Sequence, residues 1–514
     1  MLSIFDKGSP TSCPSRFNLA AYVLSYANTL SDKTALSILE LAGSKDWTYR
    51  RLKETVLTTA GGFLDRGLKP QDRILLRLDN TVEFPIAFLA AISVDIKPVP
   101  LSAQLTNQEI VLLADIVNAK AVCLDPALSF PPALDIETIT IDELRLMQMK
   151  EPANFSMGSP NRLAYIVFTS GTSGSPKAVM HAHRAVWARK MMINDWYGLR
   201  PDDRMLHAGA FNWTYTLGTG LLDPWSKGAT SLIPDRNITL DQLPHLIKKH
   251  KATIFAAVPG VYRKFLSSGN LPVFSSLRHG LSAGEKLSEN LRHTWQMQTK
   301  TNIYEAFGMS ECSTFISASP QFPADLNTIG RPQNGRRVAI VSPDQPHPPL
   351  ELGQTGMIAI DRSDQGLMLG YINEEKEPKS KRALNSDWFL TGDLGKMNKN
   401  GSITYMGRDD DLITAGGYRV SPIEVETQLQ LHPEIISVAV SQIEIKKDTF
   451  VIAAFYTAKT EIKKDVLKEF SQNHLARYKQ PRVYIYCDVL PTGPNGKILR
   501  KALSSLKKVD SGGS

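Results

Sequence analysis

The sequence predicts an α/β protein. A large N-terminal domain, residues 1–409, is expected to hold βαβ-type parallel sheets plus a β-rich subdomain, and residues 410–514 a small α+β C-terminal domain. Three observations lead there. A chain of 514 residues is too long for one ordinary core. Over its first two-thirds, short β-branched or apolar runs alternate with helical patterns, the rhythm of βαβ units. After about residue 330 the runs shorten and Gly/Asp turns join them.

In chain order, RILLRL (73–78) reads as a strand, EFPIAFLAAISV (83–94) as a helix and KPVPL (97–101) as the next strand. The same beat returns at AKAVCLD (119–125), LAYIVF (163–168), TSLIP (230–234), ATIFAAV (252–258) and TNIYEAF (301–307). A helix-like stretch starts at His183. RRVAIVSP (336–343), GMIAIDR (356–362) and GSITYMGR (401–408) form the β-rich part. The charged run Arg408-Asp409-Asp410-Asp411 sits between two globular patterns and reads as a hinge or linker. Beyond it, EVETQLQLHPEIISVAVSQIEI, FVIAAFYT and a helix over 461–476 suggest a unit of strand, helix and strand.

Composition narrows the function. The net charge of +8 fits ordinary surface lysine or attraction of anionic substrates. No dense Arg/Lys block with interleaved aromatics supports nucleic-acid binding. The cysteines, Cys13, Cys123, Cys312 and Cys487, lie far apart with no CxxC, so neither a disulfide framework nor a zinc site is expected. The N-terminus has no signal-peptide pattern, and the longest apolar run is too short to cross a bilayer. A cytoplasmic enzyme without stable membrane insertion is the expectation, as monomer or homodimer.

TSGTSGSPK (169–177) follows a buried-looking run and has the make-up of a phosphate loop. Glycines let backbone approach an anion, while hydroxyls and N–H groups donate to it. As a Walker A loop it fails: Pro176 replaces the second glycine and Ala178 the metal-binding Ser/Thr.

YIVFTSGTSGSPKAVMHAHRAV (165–186) resembles the phosphate-loop motif of the acyl-adenylate-forming enzymes: acyl-CoA synthetases, peptide-synthetase adenylation domains and luciferases. Ala178 stands where the family usually has glycine. Further motifs follow in family order: YEAFGMSE (304–311), LTGDLG (390–395), GRDDDLITAGGYRVSPIEVE (407–426) and PTGPNGKILRKAL (491–503). The resemblance covers nearly the whole chain and implies the acyl-CoA synthetase branch. A carboxylate would attack the α-phosphate of Mg-ATP, and a thiol would then displace AMP. An acid already ionised at neutral pH needs no general base for the first half. It needs neutralised charge and in-line positioning.

The resemblance also implies roles for residues. Lys497 bridges the attacking carboxylate and the α-phosphate. Glu311, with Ser310, holds Mg²⁺. Thr169, Ser170, Gly171, Thr172, Ser173, Gly174 and Lys177 cradle the β- and γ-phosphates. Glu305, Ala306 and Phe307 line the nucleotide, Phe307 stacking on adenine in place of the usual tyrosine, with Gly284 and Glu285 on the other side. Asp393 takes the ribose hydroxyls, assisted by Arg408. Asp410 is the hinge about which a mobile C-terminal domain rotates, removing Lys497 and bringing in the loop of Gly416 and Gly417, past which the pantetheine arm of CoA runs. Arg419 favours phosphate in one conformation. HAGAFNWTYTLGTGLLDPWSKGATSLI (207–233) resembles the pocket region of medium-chain and aryl acyl-CoA synthetases, making Trp213, Tyr215, Val258, Gly284 and Met309 pocket candidates. ATP, Mg²⁺ and CoA are the implied cofactors, and a small carboxylic acid is the partner. A standalone adenylation enzyme that loads a separate carrier protein is the alternative acceptor reading.

Overall fold

The computed structural model describes residues 1–170, 176–267, 269, 271–372, 387–415, 418–446, 449–492, 498–503 and 506. Its centre is a nine-stranded sheet. From one edge inward its strands are Arg331–Pro332, Ser313–Ser317, Asn302–Met309, His279–Ala283 and Ile254–Ala257, then Arg204–His207, Thr230–Pro234, Thr34–Leu39 and Ser44–Thr48. From Asn302–Met309 through to Thr34–Leu39 every pairing is parallel, and the edges are antiparallel. Parallel strands covered on both faces read as continuous apolar runs, and TSLIP and IFAA are buried along their whole length.

A second sheet, Lys97–Pro100, Arg73–Arg77, Ala121–Leu124 and Glu137–Thr140, is parallel throughout. Its helices carry legible starts. Thr106 with Glu109 and Thr140 with Glu143 form capping boxes that satisfy first-turn N–H groups. Helix Glu83–Ser93 is buried at every position, matching its unbroken apolar sequence.

The β-rich segment is a five-stranded antiparallel sheet: Ile4–Asp6, Arg337–Val341, Thr355–Asp361, Trp388–Met397 and Ile403–Arg408. The N-terminal strand at its edge has no counterpart in the sequence reading. Two expectations need correction, and one segment carries no assignment from the sequence. That segment is AVMHA, part of the strand Pro176–Ala182, which pairs antiparallel with Leu163–Ser170. The helical stretch after His183 begins at Ala185 and is broken into short pieces, Ala185–Ala188, Lys190–Met192 and a π-turn Ile193–Tyr197. In the last unit EVETQLQL belongs to a helix, Pro422–Leu429. Ser421 caps it by accepting from the Glu424 N–H at 3.3 Å, and Pro422 fills the first turn. Strands Ile435–Lys446 and Thr449–Ala458, helix Lys464–His474 and strand Val483–Tyr486 complete the unit.

Candidate active site

A parallel sheet opens a crevice beyond the carboxyl ends of its strands where successive connections leave in opposite directions. Here the chain steps from Arg204–His207 to Thr230–Pro234 on one side. It then returns to Ile254–Ala257 on the other and continues to His279–Ala283 and Asn302–Met309. The switch point therefore lies between Arg204–His207 and Ile254–Ala257. The segments leaving these strand ends hold Trp213, Val258, Gly284 and Ser310, so topology alone leads to the region the motifs single out.

Gly284 has φ +96, and a Cβ there would stand 3.1 Å from Trp213 Cζ2 and 3.7 Å from Val258 Cγ1. Only glycine suits both the backbone and the space. Trp213, Val258 and Gly284 thus form one wall. Tyr215 lies behind it, its ring 5.4 Å from Trp213 and its hydroxyl donating to the Leu281 carbonyl at 3.2 Å. Tyr215 is buried, and Met309 packs with Phe307 in a different apolar cluster, around Cys312 and Phe315.

On the nucleotide side, Phe307 is partly exposed, with its ring 5.4 Å from Tyr405. Tyr405 donates to Asp393 Oδ1 at 2.8 Å, and Arg408 Nη1 stands 3.4 Å from Asp393 Oδ2. Arg408 Nε also pairs with Asp410 at 3.1 Å. Burial works against the Arg408 charge, but these carboxylates outweigh it and raise its pKa. The Glu305 carboxylate accepts the Leu287 N–H at 2.7 Å and meets Arg292 at 3.1 Å. Burial pushes its pKa up to about 7. Ala306 is buried in the sheet, and Glu285 lies 3.8 Å from Arg263.

On the phosphate side, Thr169 and Lys177 face each other across the hairpin. Gly171, Thr172, Ser173 and Gly174 lie outside the described residues, and for Ser170 only the strand is described. The Lys177 ammonium sits 5.2 Å from the Tyr371 ring centre, and Tyr371 donates to Glu311 Oε1 at 2.7 Å. Glu311 is buried, and the Met368 N–H bonds its carbonyl at 2.7 Å. A carboxylate oriented through Oε1 leaves Oε2 for a hard cation. Mg²⁺ ordinarily takes one or two protein carboxylates together with phosphate oxygens. Among the described residues no cluster of three metal-ligating side chains exists, so these residues fit a phosphate-borne Mg²⁺ rather than an all-protein cage.

Lys497, Gly416 and Gly417 lie outside the described residues, and of Arg419 only its place in strand Tyr418–Val420 is described. Thr492 and Ile498, on either side of Lys497 in the sequence, form a bridge. Arg500 clasps both Glu426 oxygens, donates to the Val440 carbonyl at 2.8 Å and approaches Asp411 at 3.6 Å. Lys286, just past Gly284, reaches Thr427 Oγ1 at 3.2 Å and so ties the crevice rim to helix Pro422–Leu429.

Sequence reasoning missed Tyr405, Tyr371 and Arg500 as partners. Arg500 lies within a quoted motif, three residues past Lys497, and Tyr405 lies three residues before Arg408 in the strand read from GSITYMGR. Tyr371 is 60 residues from Glu311, and no local pattern links them. A separate open groove of about 620 Å³ lies by the edge hairpin, lined by Trp47, Glu83, Arg145 and Asp235; it holds none of the motif residues.

A family model described as AMP-binding enzyme matches residues 25–372. Benzoate–CoA ligase of Thauera aromatica is 27% identical over 516 residues, covering 96% of both chains. The mitochondrial acyl-coenzyme A synthetase ACSM3 of Rattus norvegicus is 27% identical, covering 89% of this chain and 83% of that one. Among solved structures, a benzoate CoA ligase from Burkholderia xenovorans LB400 superposes with a TM-score of 0.85 at 28% identity, covering 95% of this chain and 100% of that chain. The chain belongs to the AMP-binding enzyme family, within the acyl-CoA synthetase branch of the acyl-adenylate-forming enzymes.

Proposed function

We propose that the protein is an ATP-dependent acid–CoA ligase for a medium-chain or aryl acid. The carboxylate attacks the α-phosphate of ATP to give acyl-adenylate and pyrophosphate; the CoA thiol then attacks the acyl carbon and AMP leaves. The observation that carries the reading is the convergence of the Asp393–Tyr405–Arg408 and Glu311–Tyr371–Lys177 groups with the Trp213–Gly284 wall around one switch-point crevice. The similarity to acyl- and aryl-CoA ligases supports it.

In this reading Asp393 accepts from the ribose hydroxyls, held in place by Tyr405 and Arg408. Phe307 offers a ring face to adenine. Glu311, oriented by Tyr371, supplies the carboxylate for Mg²⁺, whose charge offsets that of the phosphates. Thr169 and Lys177, at the base of the phosphate loop, contact the β- and γ-phosphates. Lys497 neutralises charge between the carboxylate and the α-phosphate, and domain 410–514 turns about Asp410 between the half-reactions. The Asp410–Arg408 ion pair, at 3.1 Å, supports a pivot that communicates with the proposed ribose-binding pair. The reading includes a cytoplasmic location, supported by the four free cysteines.

Pyrophosphate release with Mg-ATP across short, medium and aryl acids, with and without CoA, tests the assignment. Acid-dependent release that rises with CoA is expected. Release indifferent to CoA would replace CoA with a carrier protein, and no release with any acid would refute the ligase.

A further inference from the structure

Glu311 sits on a turn. Strands Asn302–Met309 and Ser313–Ser317 run antiparallel, and residues 310–312 join them. The Cys312 N–H returns to the Met309 carbonyl at 3.2 Å, and Ser313 takes a φ of +64, uncommon for a residue with a side chain. Such backbone persists only where its surroundings over-determine it. Two buried ion pairs, outside the roles given so far, supply that support.

The first is Arg336 with Asp364, both buried. Arg336 Nη1 pairs with Asp364 Oδ1 and donates to Cys312 Sγ at 3.8 Å, and Nη2 donates to the Thr314 carbonyl at 3.4 Å. Gly366 makes room for this guanidinium, since a Cβ there would fall 2.7 Å from Arg336 Nη1 and 3.1 Å from Asp364 Oδ1. Asp364 Oδ1 also accepts the Gly366 N–H at 2.7 Å. The same stretch of chain continues to Met368, whose N–H bonds the Glu311 carbonyl at 2.7 Å, and to Tyr371, whose hydroxyl holds Glu311 Oε1 at 2.7 Å. Arg336 therefore joins the two pieces that fix Glu311: its own turn and the segment 364–371. The second pair holds the Ser313 end alone. Arg189, also buried, spans both Asp223 oxygens at 2.8 and 2.6 Å and donates through Nη1 to the Ser313 hydroxyl.

Burying an ion pair is a poor route to stability, because well-packed apolar residues serve a fold as well or better. Apolar residues could not bond the Thr314 carbonyl or tie it to the Asp364 segment. We infer that Arg336, paired with Asp364, is a positioning residue that sets the aim of the Glu311 carboxylate toward the metal–nucleotide. It acts through the turn and through segment 364–371. The inference rests on the ligase reading above, in which Glu311 holds Mg²⁺.

The test is equilibrium dialysis of radiolabelled ATP without acid, once with Mg²⁺ and once with EDTA. The double variant Arg336→Met/Asp364→Asn removes both charges together, so no lone charge stays buried. Its Kd for ATP with Mg²⁺ is expected to rise about 10-fold or more, the usual cost of losing a group that orients a metal ligand. Its Kd with EDTA should stay near that of the wild type. Arg336→Lys keeps a charge opposite Asp364 but lacks the fork that also reaches Thr314, and should show the same selective loss to a smaller degree. It decides the matter if the double variant fails to fold, as read from its thermal midpoint. A Kd with Mg²⁺ within about twofold of wild type in the folded variants overturns the proposal. Equal weakening with Mg²⁺ and EDTA overturns it too, since a merely structural role would act on both. Wild-type protein that binds ATP in neither condition refutes the ligase reading itself, a different and recognisable failure.

Discussion

Replacing Tyr405 with phenylalanine isolates the ribose clamp. The substitution removes the hydroxyl that donates to Asp393 Oδ1 at 2.8 Å and keeps the ring against Phe307 at 5.4 Å. Arg408 remains on the other oxygen at 3.4 Å, so the carboxylate stays paired but loses its shorter tether. A hydrogen bond to a charged group contributes about 1.5–3 kcal/mol. At about 1.4 kcal/mol per factor of ten, the KM for ATP should rise about 10- to 100-fold. Initial rates of pyrophosphate release against ATP, at saturating acid and CoA, measure it, and the KM for the acid should stay near wild type. An ATP KM within twofold of wild type would refute the clamp and leave Tyr405 a structural residue.

Four further outcomes are expected. Lys497→Ala should slow pyrophosphate release at least ~100-fold, about 2.7 kcal/mol in barrier, while thioester formation from supplied acyl-adenylate persists; near-normal release sinks the assignment. Asp410→Pro should keep adenylation and lose thioester formation, and equal loss of both counts against a hinge there. Glu311→Gln should raise the Mg²⁺ concentration for half-maximal rate about tenfold or more, and Tyr371→Phe, which only frees the carboxylate, should raise it less. Burial lowers His181, His183 and His279 to about 4 and His207 to about 3, so the fold holds them neutral while the unfolded chain protonates them below about 6.5. Their stabilisation is complete above that pH and is lost as pH falls toward 4, by up to about 3 kcal/mol each. Glu305, raised to about 7, acts in the opposite sense between 4.5 and 7 as a single group. The thermal midpoint should drop from pH 6.5 to 5, and a flat or rising midpoint would contradict the burial argument.

The parallel sheets were legible because strands covered on both faces must be apolar throughout, as at TSLIP and IFAA. Helix Pro422–Leu429 was misread although Ser421, Pro422 and Glu424 carry its start signal, because the apolar run after it drew the reading toward strand. The hairpin at 163–182 was hidden for a different reason: a glycine-rich loop after a strand is compatible with either a helix or a returning strand, and partner pairing decides. In the candidate site, single residues such as Asp393 and Glu311 were singled out by motif resemblance. Their supports were not, since Tyr371 reaches Glu311 through tertiary packing, and the Arg189–Asp223 pair joins residues 34 apart in sequence.

The most direct test of the central claim is a single-turnover experiment: protein in excess is mixed with Mg-ATP and an accepted acid, quenched, and analysed by mass spectrometry, with CoA added to a parallel sample before the quench. The account predicts acyl-adenylate on the enzyme without CoA and its conversion to acyl-CoA and AMP with CoA. Pyrophosphate or ADP formed with no acyl-adenylate at any time, or an adenylate that CoA leaves untouched, would contradict it.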